Sequence, residues 1–192
     1  MDLRNFSWIN APGRSEVSGD RIVIYTDPHT DYWQNTYYDF RHDNAHAFVL
    51  EAEGDFTFEA RAGFEYGSLF DQCGLLLYQD HGNWAKASLE YADEQRGWLG
   101  SVVTNLGYSD WATSDVDGGI REMIYRLSRR GSDFLFECSR DGYAYQQMRI
   151  FHMHKPIGKA RFGVYACSPG ASTFRAEFSG LRLGPCVWEA HE

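Results

Sequence analysis

The chain is broken into short runs of alternating residues, each closed by a turn, and this pattern leaves little room for helices. RIVIYT stands at 21–26, HAFVLEAE at 46–53 and FTFEARAGF at 56–64. QCGLLLY follows at 72–78, NWAKASLEY at 83–91 and WLGSVVTN at 98–105. The second half continues with MIYRLSRR at 123–130, DFLFECS at 133–139, YQQMRIF at 145–151, ARFGVYAC at 160–167 and STFRAEFSGLRL at 172–183. A period of two places alternate side chains on opposite faces of a strand. Gly54-Asp55, Arg130-Gly131-Ser132-Asp133 and Arg140-Asp141-Gly142 read as hairpin connections, and strands joined so tightly pair antiparallel. More than ten short strands without helical crossovers predict an all-β sandwich or barrel. No linker, low-complexity segment or fixed repeat interrupts the pattern, so residues 1–192 are read as a single domain.

Strand 72–78 is apolar on both alternation classes, which predicts a central strand covered on both faces. Two segments are too long for hairpins, TDPHTDYWQNTYYD at 26–39 and NLGYSDWATSDVDGG at 105–119. Both carry Trp, Tyr and Asp, and long ordered loops are where binding residues gather.

Composition narrows the functional classes. The formal charge of -9 opposes sequence-independent nucleic-acid binding, which relies on Lys and Arg to neutralise phosphates. The most apolar run, GLLLY, is far too short to span a bilayer. The start, MDLRNFSWIN, lacks the basic-then-apolar pattern of a signal peptide. The expectation is a cytoplasmic protein with no membrane and no nucleic-acid partner. Cys73, Cys138, Cys167 and Cys186 form no C-x-x-C pair, so free thiols are expected rather than a zinc site. Aromatic residues reach 16% of the chain, more than packing requires. Exposed Trp and Tyr suit sugar rings or protein partners, because they join an apolar face to a polar tip.

The run NWAKASLEY poses the sharpest question. It sets Lys86, Ser88 and Glu90 on one face against Ala85, Ala87, Leu89 and Tyr91 on the other. Such a row is either solvated surface or the floor of a cleft.

GLLLYQDHGNWAKASLEY, LGSVVTNLGYSDWAT, QMRIFH, GVYACSP and LRLGPCVW, in that order from about Gly74 to Trp188, together resemble one family. It is the domain-of-unknown-function family that includes the yeast regulator-of-enolase protein. The pattern GLLLY-x-D-x-x-N-W is also similar to the accessory sandwich domain of two-domain β-xylosidases. Both belong to the concanavalin A-like lectin/glucanase superfamily. The resemblance implies a two-sheet antiparallel jelly-roll sandwich with almost no helix, and a concave sheet that often holds a saccharide. It supplies no activity.

The glucanases of that superfamily carry paired carboxylates on one strand face, since a retaining mechanism needs them about 5–5.5 Å apart. Glu51-Ala52-Glu53-Gly54-Asp55 has the right letters, but Gly54-Asp55 reads as a turn that breaks the shared face. NWAKASLEY offers one carboxylate, so paired acids would have to come from different strands, such as Glu90 and Glu137. No catalytic residue is assigned. The resemblance turns the Lys86/Glu90 row toward the cleft, with Tyr78 as a neighbouring aromatic. Trp33 and Trp111 either stack on a sugar at its rim or plug their own segments onto the sandwich. Asn105, Glu137 and Arg149 complete the ligand-binding candidates. Asp110, Asp115 and Asp117 match no calcium loop, and His152-x-His154 lacks a third ligand, so neither a metal nor a cofactor is expected. The leading expectation is a saccharide or similar small polar ligand. A protein-interaction or regulatory factor of carbohydrate metabolism is the first alternative, and a glycan-acting enzyme the second.

Overall fold

The computed structural model of the chain describes residues 1–190. Apart from a 3-10 turn at Leu3–Asn5, its regular structure is all strand. In chain order these are β1 (Ser7–Ile9), β2 (Arg14–Ser18), β3 (Arg21–Tyr25), β4 (Tyr32–Asn35), β5 (Phe40–Asp43), β6 (His46–Ala52), β7 (Phe56–Phe64) and β8 (Gln72–Asp80). Then come β9 (Asn83–Tyr91), β10 (Arg96–Asn105), β11 (Tyr108–Asp117), β12 (Glu122–Arg130), β13 (Asp133–Ser139), β14 (Gln146–His152), β15 (Ala160–Cys167) and β16 (Arg175–Gly184). They form two seven-stranded antiparallel sheets. The first runs β1-β6-β15-β8-β9-β10-β11 and the second β14-β13-β12-β7-β16-β3-β2, with β4 and β5 paired apart as a hairpin.

Alternation fixes which face is which. Cys73, Leu75 and Leu77 of β8, Ala85, Ala87 and Leu89 of β9, and Phe162 and Val164 of β15 turn inward. They meet Phe58 and Ala60 of β7, Tyr125 and Leu127 of β12, and Phe134 and Phe136 of β13. Phe56 stacks on Phe162 across the gap between the sheets at 4.1 Å. Each large apolar side chain buried this way contributes about 1.5–3 kcal/mol. In register, Lys86 lies between Leu76 and Val102, and Glu90 between Gln72 and Trp98. A slip of one residue would drive Lys86 and Glu90 into the apolar core, so burial pins the register.

A second, smaller core lies on the other face of the first sheet. Tyr32, Trp33 and Ala45, from the arm that carries the β4–β5 hairpin, pack on Leu76, Tyr78, Trp84, Val102 and Tyr165. This arm covers β8 from outside and explains why both of its faces are apolar. The arm is held by Gln34 N donating to Ser109 Oγ at 2.9 Å and Asn35 Nδ2 to Gly107 O at 2.6 Å.

Two sequence expectations change. The 26–39 segment is not a plain loop, since it contributes β4. The 105–119 segment is a tight turn at Leu106-Gly107 followed by β11, so Trp111 sits on an edge strand. Both turn residues have positive φ, 53° and 82°, the geometry that suits a two-residue hairpin. Leu at the first position hides the turn from composition, and the largely exposed β11 lacks an apolar face to reveal it. The turn expected at Gly54 is present, with φ of 70°. All four cysteines are free, and Cys73, Cys138 and Cys167 are buried. Among the described residues, no helix is long and apolar enough to cross a membrane.

Candidate functional site

The row on β9 faces away from the inter-sheet core, yet it is not wet. Lys86 is 3% exposed and Glu90 4%. The Lys86 ammonium donates to Asp31 Oδ1 and to Gln72 Oε1, each at 2.9 Å. The Tyr165 hydroxyl donates to the same Gln72 oxygen at 2.9 Å, and Gln72 Nε2 donates to Phe70 O at 3.1 Å. Asp31 Oδ1 is held in turn by the Tyr32 amide at 2.7 Å. The arm thus delivers a carboxylate onto a lysine that the sheet has buried.

The charges of the row diverge. Burial disfavours the Lys86 ammonium, but the Asp31 carboxylate beside it more than compensates and raises its pKa above the ordinary lysine value. Burial pushes the Glu90 carboxyl up to about 7, with Lys86 opposing the rise and Asp31 adding to it. Among the described residues, none donates a hydrogen bond to that carboxyl. A buried acid left open to a cavity and titrating near neutrality marks a candidate site.

A cavity of about 370 Å3 opens over the row, a size suited to a small ligand. The sheet supplies Gln72, Lys86, Glu90 and Val102 to its lining. The arm adds Asp31, Trp33, Tyr38, Phe40 and His42, and Phe70 and Trp111 complete the aromatic walls. His29 and Pro169 line it from neighbouring loops. Trp98 links the last two rings, 5.5 Å from Phe70 and edge-on to Trp111 at 6.3 Å. Phe70 and His29 have φ of 69° and 60°, a left-handed conformation that costs a bulky residue about 1–3 kcal/mol. The surrounding loop holds Phe70 in place. Its amide donates to Tyr91 O at 2.8 Å, and the Asp71 carboxylate accepts from the Ser68 amide and from the Ser168 and Ser172 hydroxyls, each at 2.9 Å.

The structure gathers Lys86, Glu90, Trp33 and Trp111 at this cavity. Trp33 serves its segment as well, donating from Nε1 to Thr36 O at 3.3 Å. Tyr78 lies beneath the arm, where its hydroxyl donates to Asp43 Oδ2 at 2.9 Å, and it does not line the cavity. Asn105 braces a turn, donating to His152 O and accepting from His154 N, each at 3.0 Å. Glu137 belongs to the second sheet and grips Arg126 with both oxygens at 2.7 and 2.8 Å. Arg149, on the same sheet, pairs with Asp110 at 3.1 Å. A meeting of Glu90 with Glu137 therefore does not occur, because the two alternate outward from opposite sheets.

Asp31, Gln72, Phe70, Tyr38, Phe40, His29 and His42 were not singled out from the sequence. Asp31 stood within the long 26–39 segment, and Gln72 opens a strand that is apolar on both alternation classes, so no polar pattern marks it. The left-handed Phe70 leaves no compositional trace. Among the described residues, no group of three or more His, Cys, Asp or Glu is arranged to hold a metal.

Two stacked antiparallel sheets, with an arm folded over the outer face of one, define a lectin-like β-sandwich of the kind glycosidases also carry. A GH43 protein of Bacillus licheniformis superimposes with a TM-score of 0.65 at 13% identity, over 95% of this chain and 39% of that one. A xylan β-1,4-xylosidase of Bacillus halodurans gives 0.64 at 11% identity, over 85% of this chain and 32% of its own. These likenesses concern the fold alone. The chain belongs to the DUF1349 family of proteins of unknown function, whose model matches residues 8–186. It is 30% identical over 182 residues to "Regulation of enolase protein 1" of Saccharomyces cerevisiae, covering 95% of this chain and 90% of that protein. A solved structure of a functionally unknown Saccharomyces cerevisiae protein superimposes with a TM-score of 0.90 at 29% identity, over 98% of this chain and 100% of that one.

Proposed function

We propose that the cavity binds a saccharide or a closely similar polyhydroxylated ligand. The observation that carries this reading is the buried Glu90 carboxyl, open to an aromatic-walled cavity and without a protein donor. Asp31 Oδ2 likewise accepts no hydrogen bond among the described residues, because the Lys86 and Tyr32 donors both go to Oδ1. The site therefore offers acceptors, plus the third N–H of Lys86, and hydroxyl groups answer both. The ring faces of Phe70 and Trp111 suit the apolar face of a sugar. Asp31 neutralises Lys86, which leaves no surplus positive charge for a phosphate or a sugar acid. Titration with neutral oligosaccharides, followed by tryptophan fluorescence, tests the reading. Saturable quenching is expected, and Trp111→Ala should weaken binding by roughly tenfold or more, the scale of a stacking anchor. Absence of saturable binding across neutral saccharides would overturn it.

A second reading, a protein-interaction factor, has its own observation. Tyr37 is 93% exposed at the hairpin tip, and Leu106 and Tyr108 are exposed on the turn that Asn35 hydrogen-bonds. This patch fits the regulatory role printed in the name of the yeast relative. Tyr37→Ser with Tyr108→Ser should abolish such an interaction while leaving saccharide binding intact. A partner whose affinity survives both changes would exclude this patch.

A further inference from the structure

We propose that the saccharide carries a positively charged amino group, which the cavity holds against Glu90. This inference rests on the saccharide reading and specifies its substrate class.

The strand that carries Glu90 supplies Lys86, already committed to Asp31 Oδ1 and Gln72 Oε1 at 2.9 Å each. The strands on either side place Gln72 and Trp98 beside Glu90, and neither is charged. From β15, Tyr165 and Cys167 feel its charge, and from the second sheet Tyr125 does; burial keeps all three neutral by raising their pKa values. The arm and its flanking loop add the Asp31 carboxylate and the imidazoles of His29 and His42. Lys86 bonds to Asp31 and only attracts Glu90 from a distance, so with both carboxylates ionised the three groups carry one net negative charge.

A largely buried carboxylate with no donor from the protein is costly to ionise. A hydroxyl ligand would relieve it partly, whereas an ammonium would supply both the hydrogen bond and the opposite charge. The walls favour the same ligand. Trp33, Tyr38, Phe40, Phe70 and Trp111 line the cavity, and the faces of aromatic rings attract cations. The chain as a whole, at -9, draws cations rather than anions toward it.

Three β-1,4-linked oligosaccharide series that differ only at carbon 2 separate the possibilities: glucose oligomers with a hydroxyl, N-acetylglucosamine oligomers with an acetamide, and glucosamine oligomers with an ammonium. Calorimetric titration of the full chain at about pH 7 should show the ammonium series binding roughly tenfold or more tighter, the scale of a charged hydrogen bond. At about pH 5.5, where Glu90 is largely protonated, that preference should collapse. His29 and His42 also line the cavity, so Glu90→Gln is the control. It should erase the preference at both pH values, with folding verified by thermal melting. Should that variant fail to fold, Glu90→Met, which also removes the carboxylate, takes its place, and the preference should be absent at both pH values.

Equal affinity for the three series at about pH 7 would overturn the inference while leaving saccharide binding in place. A preference that persists in Glu90→Gln would overturn it too. Binding of none of the three series would overturn both the inference and the reading beneath it.

Discussion

The Lys86 ammonium lies 2.9 Å from Asp31 Oδ1 across 55 positions of sequence. It joins the centre of a sheet to the arm folded over it. Removing one member of a buried ion pair leaves a charge without an answer, which costs about 3–5 kcal/mol. Asp31 retains some solvent contact, at 18% side-chain exposure. Asp31→Asn should therefore fall near the lower end, at about 3 kcal/mol by chemical denaturation. Adding Lys86→Met should recover most of that loss, because the orphaned charge goes with it. A double variant as unstable as Asp31→Asn would show that the arm, rather than the charge, carries the effect.

Glu90 gives stability a pH dependence of definite sign. Its carboxyl is pushed from the ordinary 4.5 up to about 7 in the folded chain. Between those values the folded state holds a proton that the unfolded state releases. Stability should therefore fall as pH rises through this window and level off above it. A displacement of that size corresponds to about 3 kcal/mol. Glu90→Gln should remove this part of the slope, becoming more stable than wild type at about pH 8 while matching it near pH 4.5. Parallel denaturation curves for the two proteins across the window would contradict the assignment.

Gly74 sits in β8 opposite Ser88, where a Cβ would lie 1.9 Å from the Ala87 carbonyl oxygen. That neighbour is backbone and cannot turn aside. Gly74→Ala should force β8 and β9 apart and cost about 3 kcal/mol or more, the upper range for overpacking. Gly158, with nothing within 4 Å of its Cβ position, is the control and should accept Ala with little change. Equal melting temperatures for the two variants would refute the close approach.

The thiols offer a chemical test of the packing. Burial raises the Cys73 thiol to about 12 and the Cys138 thiol to about 11, and holds Cys167 well above its ordinary value. Only thiolates attack a disulfide reagent readily. In the native protein, Cys186 alone should react promptly, and all four should react after denaturation without reductant. Rapid native labelling of Cys167 would show that the arm opens easily, since that residue packs beneath it.

How much of this was legible can be judged from particular residues. Period-two alternation placed Lys86 and Glu90 on one face, and register does the rest: once Ala85, Ala87 and Leu89 go to the core, the polar row has nowhere else to point. The double apolarity of 72–78 announced a cover on each side without saying what the outer cover was. That cover is Tyr32 and Trp33 of the arm, whose strand of four residues is too short to show a period. β11 leaves no such pattern, because an exposed edge strand has no buried face to write into its sequence. Glu137 and Arg149 alternate as cleanly as Glu90 does, and alternation alone does not tell which sheet a strand will join. Asp31 and Gln72 meet Lys86 only through tertiary pairing, which no local pattern encodes.

The arm has a consequence for how the protein would respond to an occupant. Asp31 directly precedes, and Trp33, Tyr38, Phe40 and His42 belong to, a two-stranded hairpin outside both seven-stranded sheets; a lone hairpin is marginal in water, and this one is ordered by Tyr32 and Trp33 packing on the first sheet. Its order depends on that packing rather than on its own two strands, so an occupant that adds contacts to the arm strengthens the arm's hold on the sheet. An occupant bridging Glu90 to the arm would slow amide exchange in residues 26–45 long before it altered the exchange of β8 or β15. Ligand binding and the seating of the arm are then coupled, so a change that weakens the packing of Tyr32 or Trp33 on the sheet should weaken affinity as well.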